Sequence, residues 1–245
     1  MIDVMLYGAG GKMGQVLEEQ IALQEDMRIA VGIDKSSDNQ KSYPVYEDPF
    51  EYKGEVHVLI DFSHPSNLEK ILDYALSKKL PAVIATTGYS DEQIKAIEEA
   101  AKIIPVFYSS NMSTGVNVLA RLLKEAAKTL GEDFDIEIIE KHHNKKIDSP
   151  SGTAYLLAEE INKGLPVKKE YIYGREGNNC KRSKGEIGIH SIRGGTIPGE
   201  HTIIFAGNDE IIEFTHTALS KNIFAAGAIR GARRIVNAEP GLYRP

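Results

Sequence analysis

The chain has 245 residues, of which 42% are hydrophobic and 26% charged, with a formal net charge of −6. This length fits one large domain or two small ones around a sizeable core, and the acidic balance argues against a general nucleic-acid binder while leaving room for a local basic pocket. The single cysteine, Cys180, cannot close an internal disulfide, no apolar run approaches the ~20 residues of a membrane span, and the first residues lack a signal-peptide pattern, so a cytoplasmic setting is expected.

The first predicted element is a short buried strand over residues 2–7. It runs into Gly8-Ala-Gly-Gly-Lys-Met-Gly14 and then a helix with Met13, Val16, Leu17 and Ile21 at helical spacing. A second strand over 28–33 ends at Asp34. Strand, Gly-rich loop, helix, strand and acid together form the layout of a dinucleotide-binding unit. The spacing is G-x-x-G-x-x-G, one residue longer than the usual loop, with Gly14 assigned to close helix–strand contact. A Gly-rich turn that only permits tight packing is the plain alternative. Strands at 56–62, 82–86 and 105–108 alternate with helices, one introduced by Pro65 and Ser66 and one by the capping box Ser90-Asp-Glu-Gln93. Such alternation predicts a doubly wound parallel sheet of Rossmann type. The polar tails after its strands, including Asp34-Lys-Ser, Phe62-Ser-His-Pro65, Ala85-Thr-Thr-Gly88 and Ser109-Ser-Asn-Met112, fall at the edge where ligands bind.

A helix starting at Asn111 or Ser113 runs to Leu130, with Gly131 as its stop. The rhythm then changes to strands at 135–143, 170–174, 186–193, 201–206 and 210–219, with one helix over 153–163. This predicts a second, α+β domain with a mostly antiparallel or mixed sheet covered on one face, taken as mixed. Its open face is a natural place for subunits to meet. A last helix over 222–236 returns to the first domain, giving a dinucleotide domain of 1–111 and 218–245 and a second domain of 112–217.

Glu140-Lys-His-His-Asn-Lys-Lys-Ile-Asp-Ser-Pro-Ser-Gly-Thr-Ala154 is the segment richest in chemistry. Histidine trades protons near neutral pH, lysine supplies point charge, and a helix N-terminus offers backbone N–H groups. The combination predicts a site for a small, multiply negative substrate with a proton-transfer group at hand. A solvated loop is the plain alternative. Glu140 and His142 share a strand face and so admit a metal, but there is no Cys cluster or His-x-x-x-His pair, and no metal is expected.

These segments, with Asp61-Phe-Ser-His-Pro65, Thr86-Thr-Gly88 and Arg193-Gly-Gly-Thr-Ile-Pro-Gly-Glu-His201, resemble the dihydrodipicolinate reductase family over nearly the whole chain. The resemblance implies reduction of 4-hydroxy-tetrahydrodipicolinate with NADH or NADPH, in the diaminopimelate route to lysine. It implies His142 as acid/base and Lys146 as a second proton donor, with His143, Lys146, Gly152 and Thr153 on the substrate carboxylates. For the cofactor it implies Gly8, Ala9, Gly10, Gly11, Lys12, Met13, Asp34, Ala85, Thr86, Thr87, Ser109, Ser110, Asn111 and Met112. Lys35 is added on charge grounds, as a partner for the extra phosphate of NADPH beside Asp34. A homotetramer meeting through the second-domain sheets is implied as well. Lys12, Ala85 and Ser149 depart from the commonest family residues, and none removes an assigned acid, base or anion ligand.

Overall fold

The computed structural model describes residues 1–35, 41–131 and 133–245. In chain order the elements are β1 (Ile2–Tyr7), α1 (Lys12–Ala22), β2 (Met27–Ile33), β3 (Val45–Tyr46), β4 (Val58–Asp61), α2 (Leu68–Lys78), β5 (Ala82–Ile84), α3 (Asp91–Ala100) and β6 (Pro105–Tyr108). There follow α4 (Thr114–Leu130), β7 (Asp135–His142), α5 (Gly152–Gly164), β8 (Glu170–Tyr173), β9 (Glu186–Arg193), β10 (Glu200–Ala206), β11 (Ile211–Thr217), α6 (Asn222–Ile235) and β12 (Gly241–Tyr243). The chain divides into two compact units, 1–113 with 221–245, and 114–220. The boundaries therefore fall after Ser113 and Ser220, a few residues beyond those read from the sequence.

The first unit is a seven-stranded sheet in the order β12-β6-β5-β4-β1-β2-β3, and every pair in it is parallel. Successive strand side chains point to opposite faces, so Val4 and Leu6 of β1 join the core under α1 and α6, while Met5 and Tyr7 join the core under α2 and α3. Helices thus cover both faces, which is why the central strands read as unbroken apolar runs. Gly14 sits where α1 crosses the loop, and a Cβ there would lie 2.2 Å from the Gly8 carbonyl oxygen. The close contact is thus between the helix and the loop that follows β1, where the sequence placed one between helix and strand. β4 is shorter than the apolar run suggests, although the His57 N–H still bonds the Asp3 carbonyl of β1.

The second unit is a five-stranded sheet in the order β11-β10-β7-β9-β8. β11, β10 and β7 are antiparallel, whereas β7, β9 and β8 are parallel, so the sheet is mixed. Ile136, Ile138, Ile187, Ile189, Ile203 and Phe205 bury one face against α4 and α5. The opposite side of β7 carries Glu137, whose carboxylate meets Arg175, Arg182 and His190 at 2.7–2.9 Å. Burial works to raise the Glu137 pKa, but these partners outweigh it and pull it down to about 2. α4 begins at Thr114, with the Ser113 N–H held by the Asn111 side chain at 2.9 Å. Among the described residues, no helix is long and apolar enough to cross a membrane.

Candidate active site

In the first unit, the residues assigned to a cofactor follow the carboxyl ends of the parallel strands β1, β2, β5 and β6, two adjacent pairs with β4 between them. Gly8, Ala9, Gly10 and Gly11 join β1 to α1, and Lys12 and Met13 open that helix. Its N-cap, Gly11, carries no side-chain cap, so the first-turn N–H groups can meet an anion. Asp34 follows β2 and accepts from the Gly10 N–H at 2.8 Å, which holds the acid beside the loop. Lys12 and Lys35 are exposed; Ser36, last of that predicted tail, lies outside the described residues. Ala85 and Thr86 are buried after β5 and Thr87 is exposed. After β6, the Ser109 hydroxyl donates to the Asn111 carbonyl at 2.7 Å, fixing a tight turn with Ser110 at its exposed tip and Met112 buried behind. A Gly-rich loop at a helix start with an acid beside it has the donors and acceptor that a dinucleotide needs.

The second unit builds a different kind of site at the end of β7. Glu140 and His142 lie two residues apart on the helix-covered face of that strand, and both are buried. His142 Nδ1 lies 2.7 Å from Glu140 Oε2. A carboxylate only accepts, so Nδ1 carries the hydrogen and Nε2 is left for chemistry. Parallel pairing of β7 with β9 sets Arg193 opposite His142. Its guanidinium clamps both Glu140 oxygens at 2.7 Å, and the Ser151 N–H adds a bond at 3.0 Å. Burial raises the Glu140 pKa, yet Arg193 and His142 outweigh it and draw it down to about 2. Burial lowers the His142 pKa, and the Glu140 bond opposes that shift.

Antiparallel pairing of β7 with β10 sets His201 opposite Glu140. The His201 ring packs edge-on against His142 at 5.2 Å between centroids, and its Nε2 lies 2.8 Å from the Ser151 hydroxyl. Burial and the neighbouring His142 charge push its pKa down to about 4, so it is neutral at pH 7. Ser151 caps α5 by accepting from the Ala154 N–H at 3.1 Å. Gly152 and Thr153 then form the first turn, with Gly152 exposed. Lys146 pairs with Asp148 at 2.8 Å, whereas Lys145 is exposed. His143 is half-buried, and its Nδ1 is sealed from solvent without a bonding partner. A Cβ at Gly199 would stand 3.1 Å from His142 Nε2, so glycine there leaves that nitrogen room.

His142 ends β7, Lys146 lies in the loop that follows, and Gly152 and Thr153 open α5. Around His142 the structure sets Glu140, Ser151, Arg193 and His201, to which the resemblance gave no role. Glu140 carried a signal, its shared strand face with His142, but in the sequence that signal read only as a metal pair, and a metal was not expected. Among the described residues, no group of three or more His, Cys, Asp or Glu is placed to hold a metal ion.

A parallel dinucleotide-type sheet, joined to a unit with a buried acid–histidine–arginine constellation, defines a two-unit nucleotide-dependent oxidoreductase. Residues 2–112 match the family model for the dihydrodipicolinate reductase N-terminus, and residues 115–244 match the model for its C-terminus. The 4-hydroxy-tetrahydrodipicolinate reductase of Clostridium tetani is 50% identical over 99% of this chain and 95% of its own. That of Caldanaerobacter subterraneus subsp. tengcongensis is 48% identical over 99% and 96%. The solved dipicolinate-bound dihydrodipicolinate reductase of Paenisporosarcina sp. TG-14 superposes with a TM-score of 0.80 at 25% identity, covering 100% of this chain and 97% of that one. The chain belongs to the dihydrodipicolinate reductase family.

Proposed function

We infer that this chain reduces 4-hydroxy-tetrahydrodipicolinate to tetrahydrodipicolinate with NADH or NADPH, in diaminopimelate and lysine biosynthesis. The observation that carries the chemistry is the Glu140–His142 pair, clamped by Arg193 and set beside the first turn of α5. The net reaction takes up a hydride and a proton and releases water. NADH or NADPH, when bound, supplies the hydride. His142 passes the proton through Nε2, while the Glu140 carboxylate fixes the ring and stabilises its charged form. Lys146 is the second proton donor. It also exchanges Asp148 for a substrate carboxylate, and the first turn of α5 at Gly152 and Thr153 takes the other charge, with His143 beside it.

Gly8 to Met13 would hold the pyrophosphate, and Asp34 the adenosine ribose. Asp34 disfavours the extra phosphate of NADPH, and Lys35, exposed next to it, offsets that repulsion, so both cofactors serve with a modest preference for NADH. The enzyme works in the cytoplasm as a homotetramer meeting through the open face of the five-stranded sheet. The test is absorbance at 340 nm, with substrate made in situ by the preceding synthase and NADH and NADPH run in parallel. Substrate-dependent loss of absorbance supports the reading, and none with either cofactor refutes it.

A further inference from the structure

Asp61 is a buried carboxylate that no step above uses. It ends β4, between β1 and β5 in the centre of the parallel sheet, and has no exposed surface. Charged side chains are seldom buried so completely without a task. Its Oδ1 accepts from the Ser63 N–H at 2.9 Å and from the Ser63 hydroxyl at 2.6 Å, which closes the turn after β4. Two further bonds reach one other loop. The Asp61 carbonyl accepts from the Ala85 N–H at 3.0 Å, where the loop after β5 begins. Its Oδ2 accepts from the Tyr89 hydroxyl at 3.1 Å, where that loop ends.

A single residue thus fastens both ends of the 85–89 loop. Between the fastened ends, Thr87 and Gly88 are exposed. Tyr89 is wedged further by the Tyr108 ring at 6.2 Å, and the next helix is tied to the β4 side by a bond from Gln93 Nε2 to the Pro65 carbonyl at 2.7 Å. Burial pushes the Asp61 carboxyl above its ordinary pKa, and bonds from Ser63, Thr86 and Tyr89 pull against that shift. The fold therefore tolerates a desolvated acid at a place where an apolar side chain would satisfy the core alone.

We propose that Asp61 is a positioning residue for the nicotinamide cofactor, acting through Tyr89 to hold the 85–89 loop in its binding shape. The proposal rests on the reading that Ala85, Thr86 and Thr87 meet NADH or NADPH. A pre-shaped loop need not be ordered when the ligand arrives, so its loss weakens binding without altering the proton-transfer residues of the other unit.

The experiment uses Tyr89→Phe in the full chain, which deletes one hydroxyl and keeps the ring. NADH and NADPH affinities are measured by nicotinamide fluorescence, alongside kcat, KM and the melting temperature. The expected result is a Kd and cofactor KM raised roughly ten- to a hundred-fold, the range of one lost hydrogen bond to a charged group. kcat at saturating cofactor stays within about twofold, and amide exchange quickens over 85–89 but not over β4. Asp61→Asn, which keeps the shape and loses the charge, is expected to move the same quantities in the same direction. A lower melting temperature with unchanged cofactor Kd in both variants would reduce the contact to fold support and overturn the proposal. Failure of the unaltered chain to bind either cofactor is a separate result, and it would remove the cofactor reading beneath it.

Discussion

His142 is held by groups far from it in sequence. Glu140 was in view beside it, but Arg193 and His201 arrive through the pairing of β7 with β9 and β10. Register of that kind depends on which strands meet, and no local spacing encodes it. Lys146 and Lys145 were separable in sequence only by resemblance. The structure separates them physically, since Lys146 is partly covered and paired with Asp148 while Lys145 is exposed. Lys146→Ala is therefore expected to weaken pyridine-2,6-dicarboxylate binding by roughly ten- to a hundred-fold and to lower turnover, and Lys145→Ala to change either less than about threefold. Equal losses, read by calorimetric titration, would indicate a diffuse basic patch. At the other site, Lys35→Ala should raise the Kd for NADPH several-fold and spare NADH, and Asp34→Ala should weaken NADH more than NADPH. Equal effects of Lys35→Ala on the two cofactors would exclude it as the phosphate partner.

Among the elements, long periodic segments and the apolar central strands were legible, and the shortest edge strands were not. α4 and α6 carry apolar residues at helical spacing through several turns, and β1 and β6 match their predicted spans. β3 and β12 escaped because edge strands of two and three residues are too short to display alternation. The start of α5 was placed at Thr153, one residue late, and its cap Ser151 also supports His201. Ser151→Ala removes both contacts. It is expected to cost about 1 kcal/mol of stability and to weaken dicarboxylate binding, checked by denaturant melts and titration. Glu140 gives β7 a pH signature. Its folded pKa of about 2 lies below the ordinary carboxylate value of 4.5, so its stabilisation is complete above pH 4.5 and fades as the pH falls toward 2. Glu140→Gln should flatten that acid limb in the stability–pH profile, on the order of 3 kcal/mol across the window. An unchanged limb would assign it to other carboxylates, with Glu137 the first to examine.

At the scale of the molecule, composition and alternation were enough to give a parallel sheet followed by a mixed one. The first unit boundary falls after Ser113, where a turn held by Asn111 precedes α4. What remained hidden was the division of labour among buried polar groups: an acid at the centre of each sheet, Asp61 in one and Glu140 in the other, each bonded to several partners. Only tertiary placement distinguishes these from ordinary strand-end acids. The central claim is that the chain is a 4-hydroxy-tetrahydrodipicolinate reductase whose proton passes through His142. It is tested most directly by the 340 nm rate with freshly generated substrate, measured on the unaltered chain and on His142→Gln, with NADH affinity taken on the same samples. The account predicts rapid oxidation by the unaltered chain and a rate roughly a hundred- to ten-thousand-fold lower in the variant, with NADH Kd nearly unchanged. A near-normal rate in His142→Gln, or no substrate-dependent oxidation by the unaltered chain, would contradict it.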